Sequence, residues 1–307
     1  MVKRKRDSRV KDLKLKYSER FPVVKPDSII PYETSVSPFF VWLVIASRGF
    51  GKTYSILQML QHIYPKGLYN RWLIVSPTQA SDLKQKALFD EIERSGLLVE
   101  RYDTLNEDVL KEIEERTYAF TEMWENYIMH RQLLEKLHRS GIKSLTDEEI
   151  MFILGFFDDD LDLSTINDED ILGQYPMWLR RNMPPCSFIF IDDCYSERLM
   201  SKTRNNELIK LVVNGRHRRT SLVMATQSIA SIPRAIRSNT SIWSVFPLKA
   251  PKDLNILYEE ICSAFDNEDH FNLVMEYVKQ EPYGFMFLDA SSLKSPHLSI
   301  GYNNKLF

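Results

Sequence analysis

Residues 41–60 read VWLVIASRGFGKTYSILQML and combine an apolar run, a glycine-containing turn and an amphipathic segment. The apolar run Val41 to Ile45 is typical of a buried strand, and the segment after Lys52 is typical of a helix that ends near Ile63. A helix start carries unpaired N–H groups and the positive end of the helix dipole. The stretch therefore predicts a strand, a turn and a helix that together form an anion-binding site.

The turn matches the phosphate-binding pattern G-x-x-x-x-G-K-[ST] at every position except the first, which is alanine. Its residues are Ala46, Ser47, Arg48, Gly49, Phe50, Gly51, Lys52 and Thr53. The glycines let backbone N–H groups point inward, the lysine reaches the β- and γ-phosphates, and the threonine hydroxyl can ligate Mg²⁺. We therefore expect these residues to bind ATP with Mg²⁺. The alternative is a chance glycine turn before a helix.

The composition limits the class of protein. The chain has 307 residues, 44% of them apolar, and a net charge of −2, so any nucleic-acid binding depends on local basic patches. The three cysteines are isolated, which predicts neither a zinc site nor a disulfide framework and favours a reducing compartment. The longest apolar runs are too short for a membrane span, and no apolar segment directly follows the basic start as in a signal peptide.

Further apolar segments predict five more strands, at residues 71–78, 187–191, 220–227, 241–248 and 284–290. Alternation of strands with helices predicts an α/β fold with a mostly parallel sheet flanked by helices. Residues 81–139 have helical periodicity throughout, and Thr146 with Glu149 is typical of a capped helix start. We expect a basic arm and connector at 1–38 and an ATPase domain at 39–307, with a helical and acidic insertion at about 95–175.

Two acidic residues follow the predicted strand FIFIDD at residues 188–193. Hydrolysis of ATP requires a carboxylate associated with Mg²⁺ and a group that aligns water, and we assign these roles to Asp192 and Asp193. Gln227 ends the next strand and is predicted to report on the γ-phosphate. The alternative is that these strands simply end in polar residues.

Three charged segments lie outside these motifs. The arm at residues 1–20 contains four consecutive cations from Lys3 to Arg6, which suit a nuclear import signal, a DNA-binding arm or a solubilising tail. Residues 202–219 form the densest internal basic stretch and are a candidate DNA contact. The acidic segment 158–170 is predicted to be an exposed loop.

Four stretches together resemble the genome-packaging ATPases of large DNA viruses, in the poxvirus-like branch of the FtsK–HerA superfamily. They are ASRGFGKT, RWLIVSPT, FIFIDD and NGRHRRTSLVMATQSIASIPRAIRSN, within residues 40–250. The resemblance implies a RecA-like P-loop NTPase core that assembles into a homo-oligomeric ring, a pentamer or hexamer. Such rings move double-stranded DNA into a preformed capsid, so capsid or vertex proteins are the implied partners. The implied location is the virion or the host-cell assembly site, in the cytoplasm or the nucleus.

Phosphoryl transfer also needs positive charge on its transition state, commonly an arginine from a neighbouring subunit. We favour Arg216 and Arg237 because both lie in the stretch that resembles the family. The alternative for each is a DNA contact or a surface charge.

Two other functions remain open. One is a helicase or DNA-pumping ATPase of the same superfamily, and the other is a non-catalytic nucleotide-binding scaffold at a capsid vertex. Two departures from the family pattern also matter: Ala46 replaces a glycine, and 140 positions separate Lys52 from Asp192.

Overall fold

The computed structural model describes residues 39–78, 81–155, 167–193, 199, 206–291, 297–302 and 304–305. The basic arm at 1–38, residues 202–205 of the basic stretch and Cys194 lie outside the described residues. So does most of the acidic segment 158–170. The last part of that segment differs from the predicted loop, because Asp168–Leu172 is a short helix that Asn167 caps.

The described residues contain nine strands in one sheet, in the spatial order β3-β2-β4-β5-β1-β6-β7-β8-β9. Five pairings, from β3 across to β6, are parallel, and the three from β6 to β9 are antiparallel. The strands are β1 (Val41–Ile45), β2 (Arg71–Val75), β3 (Leu98–Tyr102), β4 (Ser187–Asp192), β5 (Thr220–Thr226), β6 (Ile242–Val245), β7 (Met286–Asp289), β8 (His297–Ile300) and β9 (Asn304–Lys305).

The described residues also form helices, which are interspersed with the strands along the chain. They are α1 (Lys52–Ile63), α2 (Leu83–Arg94), α3 (Glu107–Ser140), α4 (Asp147–Leu154), α5 (Asp168–Leu172), α6 (Glu207–Asn214), α7 (Arg234–Arg237), α8 (Pro251–Ile261) and α9 (Glu268–Gln280). Helix α1 ends where it was predicted to end, before a short turn with Pro65 that closes at Gly67. The predicted cap of α4 is also present, since Thr146 and Glu149 form a reciprocal capping box.

The central strands are mostly apolar because both faces of the parallel part of the sheet are covered. Every residue of β1, β2, β4 and β5 is buried. Strand β3 lies at the sheet edge and is only partly buried. The predicted fold class is confirmed: the protein has a mostly parallel sheet with flanking helices.

Three strands were missed by the sequence analysis. The periodicity of residues 81–139 predicts helix throughout, but Leu98–Tyr102 forms β3 between α2 and α3. An edge strand is less buried than an inner strand and needs fewer apolar residues. The sequence LVERY is short and charged, so it lacks the apolar run that marks the inner strands. Strands β8 and β9 are short antiparallel additions at the other end of the sheet.

The chain divides into two compact units. Among the described residues, one unit lies within residues 115–185, and the other lies within residues 39–114 and 186–305 and contains the whole sheet. The first unit is helical, with an interior that includes Trp124, Leu133 and Leu179. None of the described helices is both long enough and apolar enough to cross a lipid bilayer.

Candidate nucleotide site

The loop of residues 46–53 lies at the carboxyl edge of the parallel strands, together with the acidic pair. The loop follows β1, Asp192 ends β4, and Gln227 directly follows β5. Strand β5 pairs with both β1 and β4, so it lies between the loop strand and the acidic strand. Parallel strands place their carboxyl ends at one edge, which brings together residues that are distant in sequence.

The backbone of the loop adopts the conformation that its glycines permit. Gly49 and Gly51 both have φ of 86°, in the left-handed region that disfavours other residues. Gly51 precedes α1, and no side chain caps the N-terminus of that helix. Helices α2, α6 and α9 begin with a side-chain cap, whereas α1 and α8 do not, so the N-terminus of α1 leaves its N–H groups available to an anion.

The ammonium of Lys52 lies between the two acidic side chains. Its Nζ forms an ion pair with Oδ2 of Asp193 and lies 3.6 Å from Oδ1 of Asp192. The Lys52 side chain is only 11% exposed, so its charge is held in a partly desolvated position. This is a cation that a phosphate group can share with the carboxylates or take over from them.

Asp192 is placed to share a metal ion with Thr53. The Thr53 hydroxyl donates a hydrogen bond to Oδ2 of Asp192 at 3.2 Å. Burial raises the pKa of the Asp192 carboxyl above its ordinary value, and the Lys52 ammonium opposes that rise. A buried carboxylate with one cation nearby favours the arrival of a second positive charge.

Asp193 is more exposed, with 30% of its side chain accessible, and has a strained backbone. Its φ is 48°, a left-handed value that costs a non-glycine residue about 1–3 kcal/mol. The Nε2 of Gln227 donates to Oδ2 of Asp193 at 3.2 Å. The strained conformation therefore turns this carboxylate toward the lysine and the amide.

These side chains fit MgATP by their chemistry. The site offers uncapped helix N–H groups, an ammonium, a hydroxyl and two carboxylates at one edge of the sheet. Among the described residues no group of three or more His, Cys, Asp or Glu side chains could hold a metal ion. Mg²⁺ in nucleotide sites usually takes only one or two protein ligands, and phosphates and water complete its shell. The individual roles of these residues stay predictions.

The two predicted arginines do not join this cluster. Arg216 lines a cavity with Val41, Thr220 and Ser241, at the amino ends of β1, β5 and β6. Arg237 precedes β6 and pairs with Glu260 at 3.3 Å. A seven-residue strand such as β5 spans roughly 20 Å, so both arginines lie at the opposite edge of the sheet from the loop.

Two residues near the loop were missed by the sequence analysis. The Tyr283 ring lies 3.4 Å from the position that a Cβ on Gly51 would take. The Nζ of Lys249 lies 6.0 Å from the centroid of the Phe50 ring. Neither belongs to a motif. The pairing of β1 with β6 brings Lys249 to the loop, and the pairing of β6 with β7 brings Tyr283 there, so no local signal was available.

No family model and no curated protein matches this chain. Viral genome-packaging ATPases are among the solved structures with a similar backbone. The genome-packaging NTPase B204 from Sulfolobus turreted icosahedral virus 2, in complex with AMP, has 12% identity and a TM-score of 0.48 over 87% of this chain and 98% of that chain. B204 from Sulfolobus turreted icosahedral virus has 14% identity and a TM-score of 0.47 over 85% of this chain and 96% of that chain.

A third similar structure is the cytoplasmic domain of the type VII secretion ATPase EccC from Thermomonospora curvata. It has 14% identity and a TM-score of 0.41 over 87% of this chain and 27% of that chain. The two viral proteins are of the same kind as the family that the sequence resembles. At identities of 12–14% and TM-scores of 0.41–0.48 the likeness assigns no chemistry, so the function has to be argued from this chain's own residues.

Proposed function

We propose that this protein is an ATPase that hydrolyses MgATP and uses the energy to move double-stranded DNA into a viral capsid. One observation carries the hydrolytic part. A single oxygen, Oδ2 of Asp193, contacts both the phosphate-loop lysine and the amide of Gln227. A scaffold that only bound nucleotide would need the loop and Lys52. It would not need Asp193 in a strained backbone conformation with its carboxylate held by the Gln227 amide.

The residues divide the work of phosphoryl transfer. Lys52 and the α1 N–H groups hold the phosphates, and Thr53 with Asp192 holds the metal ion. Bound Mg²⁺ supplies charge neutralisation on the phosphate oxygens. Asp193 accepts a hydrogen bond from the attacking water and aligns it, while Gln227 holds Asp193 in place and reports on the γ-phosphate. Positioning and charge therefore supply the catalysis.

The arginine at the amino edge completes the reaction from another subunit in this proposal. Arg216 and Arg237 lie too far along the strands to reach the loop of their own chain. A head-to-tail ring places one face of each subunit against a different face of its neighbour. Such a contact can bring the amino edge of one sheet to the carboxyl edge of the next, so the chain would be active as a pentameric or hexameric ring.

The DNA and capsid parts of the proposal rest on the sequence resemblance. The cations other than Arg216 in the described part of the basic stretch 202–219 supply positive charge that would follow the phosphate backbone without reading sequence. The basic arm at residues 1–20 is a second DNA contact in this proposal. The capsid vertex is the proposed partner, and the virion or the host assembly site is the proposed location.

The test is ATP turnover measured with and without double-stranded DNA over a series of salt concentrations. A packaging motor should show turnover that DNA stimulates and that salt suppresses, and Lys52→Ala should abolish it. Nucleotide binding without turnover would favour the vertex scaffold. The helicase alternative would be favoured if single-stranded DNA stimulated ATP turnover more than duplex DNA did and if the protein separated DNA strands.

Deletion of residues 1–20 tests how much the basic arm, as distinct from the rest of the protein, contributes to DNA binding. Loss of the arm should weaken DNA affinity and flatten its dependence on salt, because fewer counterions are released. An unchanged salt slope would leave the arm as a targeting signal or a tail.

A further inference from the structure

Tyr283 occupies a turn position that normally belongs to glycine. The N–H of Gly284 donates to the carbonyl of Glu281 at 2.9 Å, and Pro282 and Tyr283 are the two central residues of that turn. Proline cannot adopt a positive φ, whereas Tyr283 has φ of 58°, so this is a type II turn. Type II turns favour glycine or asparagine at this position, and a bulky aromatic residue there indicates a use for its ring.

The Tyr283 ring is exposed although it lies beside the phosphate loop. Its Cδ1 lies at van der Waals distance, 3.4 Å, from the position of a Cβ on Gly51. The side chain nevertheless remains 72% exposed, so contact with the loop uses only an edge of the ring. Within the described residues the Tyr283 hydroxyl makes no hydrogen bond. Packing against the loop therefore involves only a small part of the Tyr283 side chain.

The order of the strands says which end of a bound nucleotide faces Tyr283. Asp193 and Gln227 lie beyond β4 and β5, on one side of β1. The turn with Tyr283 precedes β7, and β7 pairs with β6 on the other side of β1. With the γ-phosphate at the carboxylates, the ribose and base leave the loop on the side of β6 and β7.

We propose that the Tyr283 ring is the stacking platform for the nucleobase of the bound nucleoside triphosphate. This inference rests on the proposed nucleotide-binding function. Aromatic rings stack on every base because each base has a π-face, so the ring should hold purine nucleotides with little choice between adenine and guanine. The strained turn points the ring out from the protein, where a base can cover it.

The backbone conformation of the turn allows the ring to be removed without a loss of stability. Tyr283→Gly removes the ring and also relieves the positive φ, so it should fold at least as stably as the wild type. Tyr283→Phe keeps the ring and removes only the hydroxyl. Tyr118→Ala, at an exposed tyrosine in the helical unit, is the matched control.

The experiment compares the affinities of ATP and inorganic tripolyphosphate, each with Mg²⁺, by calorimetry. Tyr283→Gly should bind ATP roughly tenfold to a hundredfold more weakly, with tripolyphosphate affinity unchanged. Tyr283→Phe and Tyr118→Ala should bind both like the wild type. Melting temperatures of the free proteins would show that Tyr283→Gly is folded.

Each other outcome overturns the proposal. Equal weakening of ATP and tripolyphosphate would make the ring a brace for the loop, and unchanged affinities with altered assembly would make it a subunit contact. Wild-type protein that binds tripolyphosphate as tightly as ATP would show that the base contributes nothing, while the phosphate site would stand. Wild-type protein that binds neither would remove the proposed function itself.

Discussion

The amide Nε2 of Gln227 donates to Oδ2 of Asp193 at 3.2 Å across 34 residues of sequence. The same oxygen is paired with the ammonium of Lys52. The carboxylate thus has two partners before any substrate binds, and one of them is the cation that phosphates need. Binding of a triphosphate must draw Lys52 at least partly away from Asp193, which frees that carboxylate for water.

We expect Asp193→Asn to lose turnover and keep nucleotide binding. Removal of the charge takes away the group that aligns water, which costs about 10²–10⁴ in rate. The same change removes the anion that competes for Lys52, so ATP affinity should stay equal or rise. Turnover and calorimetric affinity measure both effects. Asp192→Asn is the matched variant and should instead lose the part of the affinity that depends on Mg²⁺; normal turnover in Asp193→Asn would refute our assignment.

Gln227→Ala should lower turnover with little effect on ATP affinity. The amide holds Asp193 and touches neither Lys52 nor Thr53 in the described contacts. The loss should be smaller than that of Asp193→Asn, because the carboxylate itself remains. Single-turnover kinetics with saturating ATP measure the chemical step, and a fall in affinity equal to the fall in rate would contradict a role limited to that step.

Arg216 is the better of the two candidates for an arginine that acts on a neighbouring subunit. Its side chain is exposed, whereas that of Arg237 is 14% exposed and pairs with Glu260. Arg216→Ala should therefore cut turnover by ~10³ without a change in melting temperature. Arg237→Ala should lower the melting temperature, because Glu260 loses its partner.

Mixing of subunits tests the transfer between neighbours. Lys52→Ala supplies an arginine, and Arg216→Ala supplies an intact phosphate loop, so each is inactive alone. Mixed rings contain some interfaces with both, and activity should partly return. If mixing restored no ATP turnover, or if Arg216→Ala alone had normal turnover, Arg216 would not act on a neighbouring subunit. It would then be a DNA contact or a surface charge.

The buried ion pair between Arg71 and Glu100 should matter more than an exposed pair on the same strand. Arg71 on β2 pairs through Nε with Glu100 on β3, and its Nη1 donates to the carbonyl of Ile113 at 3.4 Å. Glu100→Gln would remove the negative charge that faces a buried guanidinium and should cost about 3–5 kcal/mol of unfolding free energy. Glu93→Gln removes a partner of the half-exposed Arg101 and should cost less than about 1 kcal/mol. If urea unfolding gave the same loss of unfolding free energy for Glu100→Gln and Glu93→Gln, burial would not determine how much an ion pair contributes.

His130 should make the protein lose stability as the pH falls. Its Nε2 donates to the carbonyl of Phe152 at 3.3 Å, and its Nδ1 shares a hydrogen bond with the Tyr175 hydroxyl at 2.7 Å. Burial lowers the pKa of His130 to about 4. Because this pKa is below that of an unfolded histidine, about 6.5, the unfolded state binds more protons between the two values.

The contribution of His130 is therefore fully present above pH 6.5 and is lost as the pH falls through 4. It amounts to about 3 kcal/mol at most, from about 1.4 kcal/mol per pH unit. Denaturant unfolding between pH 7 and pH 4 should show a flatter profile for His130→Phe than for the wild type. Parallel profiles would mean that the pKa of His130 is the same in the folded and the unfolded protein.

The sequence predicts those parts of the fold that leave a local pattern. The strands β1, β2 and β4 are found because each is a continuous apolar run, and the loop at residues 46–53 because its glycines and lysine are consecutive. Strand β3 is missed because an edge strand needs few apolar side chains. The order of the strands is a matter of pairing between distant segments, which no local window contains.

The same limit applies within the site. The proximity of Asp192 and Thr53 was expected because Asp192 ends one strand, the loop with Thr53 follows another, and the strands were predicted to be parallel. Tyr283 lies in a turn between a helix and an antiparallel strand, and its contact with Gly51 depends on that pairing. The direction of Arg216, toward the opposite edge of the sheet, follows equally from topology and not from composition.

The late pairing of β1 has a consequence for synthesis on the ribosome. Strand β1 ends at Ile45, but its two neighbours are β5 and β6, and the second of these ends at Val245. At a synthesis rate of 5–20 residues per second, the strand waits roughly 10–40 s for its partners to emerge. During that time its apolar side chains face solvent or a chaperone. The phosphate loop is therefore among the last features of the nascent chain to form, and a truncated translation product that stops before Val245 carries the whole motif and no nucleotide site.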